Sequence, residues 1–177
     1  MLFRSRLPEE YRAIDRAAQI TRGDLAALIG QRLSGLLNAT RPRDVGVITD
    51  VRGHWAERWI LAVARAGVMD PLPNHTFQPR GVVRRGDFAQ AVTRLLAKVA
   101  VVSPAEARRW TGARGRFTDM APTHLAYPAA SAATASGVMA ATAEGGFQPN
   151  RVVTGEEAIA ALDRLSQLSP RVVAGQR

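Results

Sequence analysis

Arg22 and Arg85 occupy matching places, in Thr21-Arg22-Gly23-Asp24-Leu25 and Arg84-Arg85-Gly86-Asp87-Phe88. The residues that follow each are apolar at helical spacing, so both arginines fall on the first turn of a predicted helix. Backbone N–H groups are unpaired there and the potential is already positive. A guanidinium at that position works mildly against the helix and suits an anion, which it can grip through paired donors. The competing reading is an ordinary exposed arginine in an arginine-rich chain. Around the arginines lie residues that would hold the helix starts. Thr21 with Asp24, and Thr154 with Glu157, have the spacing of capping boxes, each cap typically contributing about 1 kcal/mol. In the middle stretch Arg84 takes the cap position ahead of the first-turn carboxylate Asp87, so that helix is expected to start less firmly. The third stretch, Thr154-Gly155-Glu156-Glu157, has Gly155 where an arginine would stand.

These helix starts belong to a longer echo. Thr76-Phe77-Gln78-Pro79 returns as Gly146-Phe147-Gln148-Pro149, Gly67-Val68-Met69 as Gly137-Val138-Met139, and Thr49-Asp50 as Thr118-Asp119. Shared spacing over such a span is an internal repeat. Residues kept in both copies read as architecture, and those that differ can be asked about function. A helix is expected over 55–66, with Trp55, Trp59, Ile60 and Val63 on one face and Gly67 as its left-handed cap. Residues 70–79 read as an ordered loop anchored by Phe77. A helix from about 85 to 99 follows, burying Phe88, Val92, Leu95, Leu96 and Val99. The third copy repeats the order with helices over 125–136 and 155–168 and Phe147 as loop anchor. The first 44 residues contain only the second half of a unit, a helix over 22–37, preceded by a short helical stretch over 8–18. This predicts a partial copy over 8–40, a full one over 46–100, a linker over 101–114 with a short helix, and a degenerate copy over 115–170.

The chain's 177 residues, 46% hydrophobic, can bury a real core. No apolar run approaches the length of a membrane span, and the extreme N-terminus has no signal-peptide core. Without cysteine there are neither disulfides nor thiolate metal sites. The net charge of +9 comes almost wholly from arginine, with Lys98 the only lysine. Such a balance fits either a GC-rich genome or an acidic partner. The charge excess lies in residues 1–110, and 111–177 carry six basic residues against five acids.

Asp50-Val51-Arg52-Gly53-His54-Trp55-Ala56, the helix ending in Ala66-Gly67-Val68, the Phe77-Gln78-Pro79 loop and Thr21-Arg22-Gly23-Asp24-Leu25-Ala26 resemble S-layer homology repeats. The resemblance covers nearly the whole chain and is strongest in the middle copy. It implies an all-α fold, three helix-loop-helix repeats in a pseudo-threefold prism with grooves between them. It further implies a non-catalytic module, without cofactor, that anchors a larger protein to acidic cell-wall-linked polysaccharide at the cell envelope, in the periplasm or on the surface. By the same resemblance Arg22 and Arg85 contribute to the anionic sugar sites, and Gly155 leaves the third groove weak or purely structural.

Other readings stay open beside it. Trp55 and Trp59 could stack on sugar rings, although their helical spacing favours the core. His54 and His124 each precede a helix and read as turn or capping residues, and with His75 they have no metal-ligand spacing. No nucleophile–base pair can be argued from the chain. An envelope protein–protein scaffold with decayed glycan binding is one alternative. A basic, helical nucleic-acid-binding protein is another, resting on charge alone.

Overall fold

A computed structural model describes residues 7–169. Residues 1–6, part of the N-terminus read above, and residue 170, the end of the expected third copy, lie outside the described residues. The chain is all-α, and among the described residues the only β pairing is two isolated bridges, Thr21 with Val82 and Arg84 with Val152. A short helix α1 (Glu9–Ala13) runs into a 3-10 turn (Ile14–Arg16). Next come α2 (Arg22–Arg32) and α3 (Ser34–Asn38). The single helix expected over 22–37 is broken at Leu33, where Ser34 and Gly35 follow and helix propensity is poor.

The middle copy contributes α4 (Glu57–Arg65) and the long α5 (Arg85–Val102). α4 starts two residues later than expected because His54 and Trp55 form the turn before it. There His54 Nδ1 accepts the Ala56 N–H at 3.1 Å, and His124 does the same for Ala126. Gly67 and Gly137 adopt the positive φ of left-handed caps, 72° and 79°. The short α6 (Pro104–Ala107) leads to the third copy, α7 (Tyr127–Ala135) and α8 (Gly155–Gln167).

A closed ring of backbone hydrogen bonds joins the three copies. The Ile20 N–H donates to the Val153 carbonyl at 2.9 Å, Val153 donates to Val83 at 3.0 Å, and Val83 donates back to Ile20 at 2.9 Å. All three residues are buried, so each bond also removes a desolvation penalty of about 1–3 kcal/mol that an unpaired group would carry. Just past the ring each helix start docks onto a different copy. Arg22 and Gly23 donate to the carbonyls of Gly81 and Pro79, both at 2.8 Å, while Arg85 and Gly86 donate to Arg151 and Pro149, both at 2.9 Å.

Among the described residues no loop of a first copy lies against the third helix start. It meets the N-terminal segment instead. The Gly155 N–H donates to the Ala17 carbonyl at 2.9 Å. A Cβ on Gly155 would sit 1.6 Å from the Ile14 carbonyl oxygen, so no side chain fits there.

One continuous core runs through all three copies, with Phe77, Phe88 and Phe147 fully buried. Trp59 is buried, Trp55 is half-buried, and their rings meet edge to face at 5.9 Å. In the third copy Ala129, Ala130 and Ala133 replace Trp59, Ile60 and Val63 on the buried helix face. Phe117 contributes aromatic bulk there, packing edge-on against Tyr127 and Phe147. Gly155→Ala should therefore lower unfolding free energy by about 1–3 kcal/mol, the cost of forcing a methyl into filled space. Urea denaturation checks this, and an unchanged midpoint would refute the close approach of Ile14.

Candidate functional site

Each groove is built from a loop of one copy and the helix start of the copy before it. Asp50 shapes the middle loop by accepting the N–H groups of Phe77 and Gln78, both at 2.7 Å. Asp119 holds Phe147 and Gln148 in the same way, at 2.8 and 2.7 Å. The clamp supports Gln78 and Gln148 at positive φ, 55° and 58°, unusual for residues with a side chain. Slight burial pushes the Asp119 carboxyl upward, but the two backbone donors and nearby Arg85 outweigh it and hold it below its ordinary value.

The clamped loops turn carbonyl oxygens toward the two arginines. Arg22 Nε donates to the Phe77 carbonyl at 2.7 Å and one terminal nitrogen donates to the Asp70 carbonyl at 3.0 Å. In the second groove Arg85 Nε donates to the Phe147 carbonyl and a terminal nitrogen to that of Ala140, both at 2.8 Å. Each guanidinium also lies over its loop phenylalanine, 4.6 Å from the Phe77 ring and 4.8 Å from Phe147. Burial pulls both arginines somewhat below their ordinary pKa. An arginine nevertheless stays charged at neutral pH.

Beyond this shared clamp the two sites diverge. Arg85 is buried, its side chain 6% exposed, and its remaining terminal nitrogen is paired with Glu157. Arg22 is half-buried, and among the described residues its remaining terminal nitrogen, Nη1, has neither an ion pair nor a hydrogen-bond partner. Arg22 lines a cleft of about 260 Å³ together with Asp70, Asp87, Gln90 and Arg94. Asp70 is bridged by Arg43 and Arg94. Partial burial pushes the Asp70 carboxyl upward, and those two guanidinium groups more than reverse it, leaving its pKa lowered.

The capping residues behave differently in each copy. Thr21 Oγ1 accepts the Asp24 N–H at 3.2 Å and the Asp24 carboxylate accepts the Thr21 N–H at 2.8 Å, a complete capping box. Thr154 Oγ1 accepts the Glu157 N–H at 3.1 Å, while the Glu157 carboxylate turns to Arg85 and Arg151. Asp87 is exposed, and Arg84 makes no side-chain cap above it. Most of the backbone amides expected to be free at the arginine-bearing helix starts are taken, those of Arg85 and Gly86 by Arg151 and Pro149. Gly81, Pro79 and Thr21 accept those of Arg22, Gly23 and Asp24 at the start of α2.

Sequence reasoning missed Arg43, Asp70, Gln90 and Arg94. A signal existed, since Asp70 and Gln90 fall opposite Ala140 and Ala160 in the third copy. Among the described residues no group of histidines and carboxylates has metal-binding geometry. Among the same residues no helix is long and apolar enough to cross a membrane.

Residues 47–89 and 116–159 match the family model of the S-layer homology domain. Both segments are S-layer homology repeats. A cellulosome-anchoring protein of Acetivibrio thermocellus is 27% identical over 109 residues, which cover 61% of this chain and 22% of that protein. The chain thus spans less than a quarter of its relative's length. Both matched S-layer homology segments contain a complete loop clamp, Asp50 with Phe77 in one and Asp119 with Phe147 in the other. Residues before 47 lie outside them and join the two S-layer homology repeats through Ile20 in the ring.

The clamp has a pH signature. A carboxylate with a depressed folded-state pKa contributes stability that is complete above its unfolded value, near 3.8 for Asp119, and is lost as pH falls through the folded value. Asp119→Asn should cost about 1 kcal/mol at pH 7 and flatten the acid side of the stability profile. Denaturation midpoints from pH 2 to 7 measure this. An unaltered acid limb in the variant would count against the clamp.

Proposed function

We propose that this chain is a non-catalytic anchoring module of the bacterial envelope that holds an acidic cell-wall polysaccharide in the cleft at Arg22. The observation that carries the reading is the guanidinium itself. Two carbonyls and a phenyl ring fix its orientation, the residue lines the cleft, and among the described residues one terminal nitrogen has no partner. A ligand carboxylate there would gain a charge-assisted bond without any cost of ordering the arginine. Arg94, Gln90 and Asp70 supply further donors and acceptors suited to sugar hydroxyls. In this reading the partial copy over 8–40 contributes the arginine, the copy over 46–100 contributes the loop, and 101–114 links them to a third copy over 115–170.

The two S-layer homology repeats support attachment to cell-wall polymer, and the anchoring relative supports a tether within a larger envelope protein. The protein then acts at the cell surface or in the periplasm, bound non-covalently. Arg85 enters this reading as a second, protected arginine.

The test is retention of the purified protein on isolated cell-wall glycan. Arg22→Ala should weaken retention by about tenfold or more, the worth of a hydrogen bond to a charged group. Mild acid removal of acidic substituents from the glycan should have the same effect. Equal retention of the variant and the parent protein would remove Arg22 from the site. Salt-sensitive retention on DNA without glycan binding would instead favour a nucleic-acid partner.

A further inference from the structure

Two differences between copies decide how each arginine is used. Glu157 stands where the middle copy has Asp87, one methylene shorter, and Arg151 stands where it has Gly81. Both Glu157 oxygens accept from an Arg151 terminal nitrogen at 2.9 Å, and one of them also meets Arg85. The carboxylate is thus held from both sides, its side chain 22% exposed. In the first groove the shorter Asp87 makes no ion pair with Arg22, and Gly81 offers no side chain to bring it there.

We propose that the second groove contains a latent carboxylate site at Arg85, occupied by the protein's own Glu157 and latched by Arg151. The inference rests on the reading of the first cleft as a carboxylate site. The two arginines have the same clamp: Nε on a loop phenylalanine carbonyl, a terminal nitrogen on the carbonyl seven residues earlier, and a ring beneath. What differs is the remaining terminal nitrogen, which among the described residues has no partner at Arg22 and meets a carboxylate at Arg85. Glu157 occupies the position a ligand carboxylate would take. An acidic glycan therefore engages one groove per chain, and the second opens only when Glu157 is displaced or shortened. One methylene and one latch residue set the valency of the module.

The third helix start fits the same logic by subtraction. It has Gly155 in place of an arginine, and the carboxylate that would face it, Asp24, caps its own helix instead. A box acid is drawn across the groove only where a guanidinium awaits it and the acid is long enough to arrive.

The experiment compares the parent protein with Glu157→Asp, Glu157→Gln, Arg151→Ala and the reverse change Asp87→Glu. Phenylglyoxal modification, mapped by mass spectrometry, reads the exposure of each arginine without any sugar. Arg22 should react and Arg85 resist in the parent, Arg85 should become reactive in the first three variants, and Arg22 should become protected in Asp87→Glu. Calorimetric titration with glucuronate, a small carboxylated sugar, should then give one site in the parent, two in Glu157→Asp, and at least about tenfold weaker binding in Asp87→Glu. Glu157→Asp retains the charge and the backbone donor to Thr154, so it reports even if the glutamine variant folds poorly. Continued protection of Arg85 in Glu157→Asp and Arg151→Ala overturns the latent site. Opening of Arg85 with no glucuronate bound by any variant would uphold the latch and refute the carboxylate reading of both grooves.

Discussion

The ring through Ile20, Val83 and Val153 is the constraint from which the rest of the molecule follows. Each residue gives its N–H to one neighbouring copy and its carbonyl to the other, so no member is satisfied until all three are present. Burial makes the arrangement all-or-none, because any opened bond leaves polar groups in an apolar centre. The ring also fixes the phase between copies. With the ring residue set, the next two or three residues of each helix start must fall against the turn of a neighbour, where Gly81, Pro79, Arg151, Pro149 and Ala17 receive them.

That phase makes each groove a joint product of two copies. The arginine belongs to one and the loop to the next, so each guanidinium serves first as an inter-copy clamp with its Nε and one terminal nitrogen on carbonyls. Any binding proposed for them draws on what remains after that structural work. Such an arrangement gives a rigid, pre-oriented charge, and in the proposed function it makes fold and recognition share a side chain. A conservative change to lysine would lose the planar fork that reaches both carbonyls.

Much of this was readable in the chain. The seventy-residue echo located the buried Phe77 and Phe147, the left-handed Gly67 and Gly137, and the long helices, because those features depend on local spacing and on turn chemistry. What could not be read was which copy meets which. Helix-start amides look free in one dimension, and only the ring reveals that Gly81 and Pro79 already hold those of α2. Gly155 was visible as a missing arginine, but its cause is steric, a carbonyl at Ile14 that no local pattern announces. Asp70 lay in a proline-rich loop, and its tie to Arg43 and Arg94 spans elements far apart in sequence. The break at Leu33 was missed for a simpler reason, since the apolar face continues across it while the backbone does not.

The direction of the ring carries a last implication. Stacked repeat proteins leave an unsatisfied face at each end, so a further unit can always be appended and evolution adjusts length by single copies. Here Ile20 accepts from Val83 and donates to Val153, which closes the circuit and leaves no vacant partner for a fourth. Growth by one unit would have to break a bond already made. Duplication can therefore enlarge such a protein only in complete triads, and a lone surplus unit would be left without a seat.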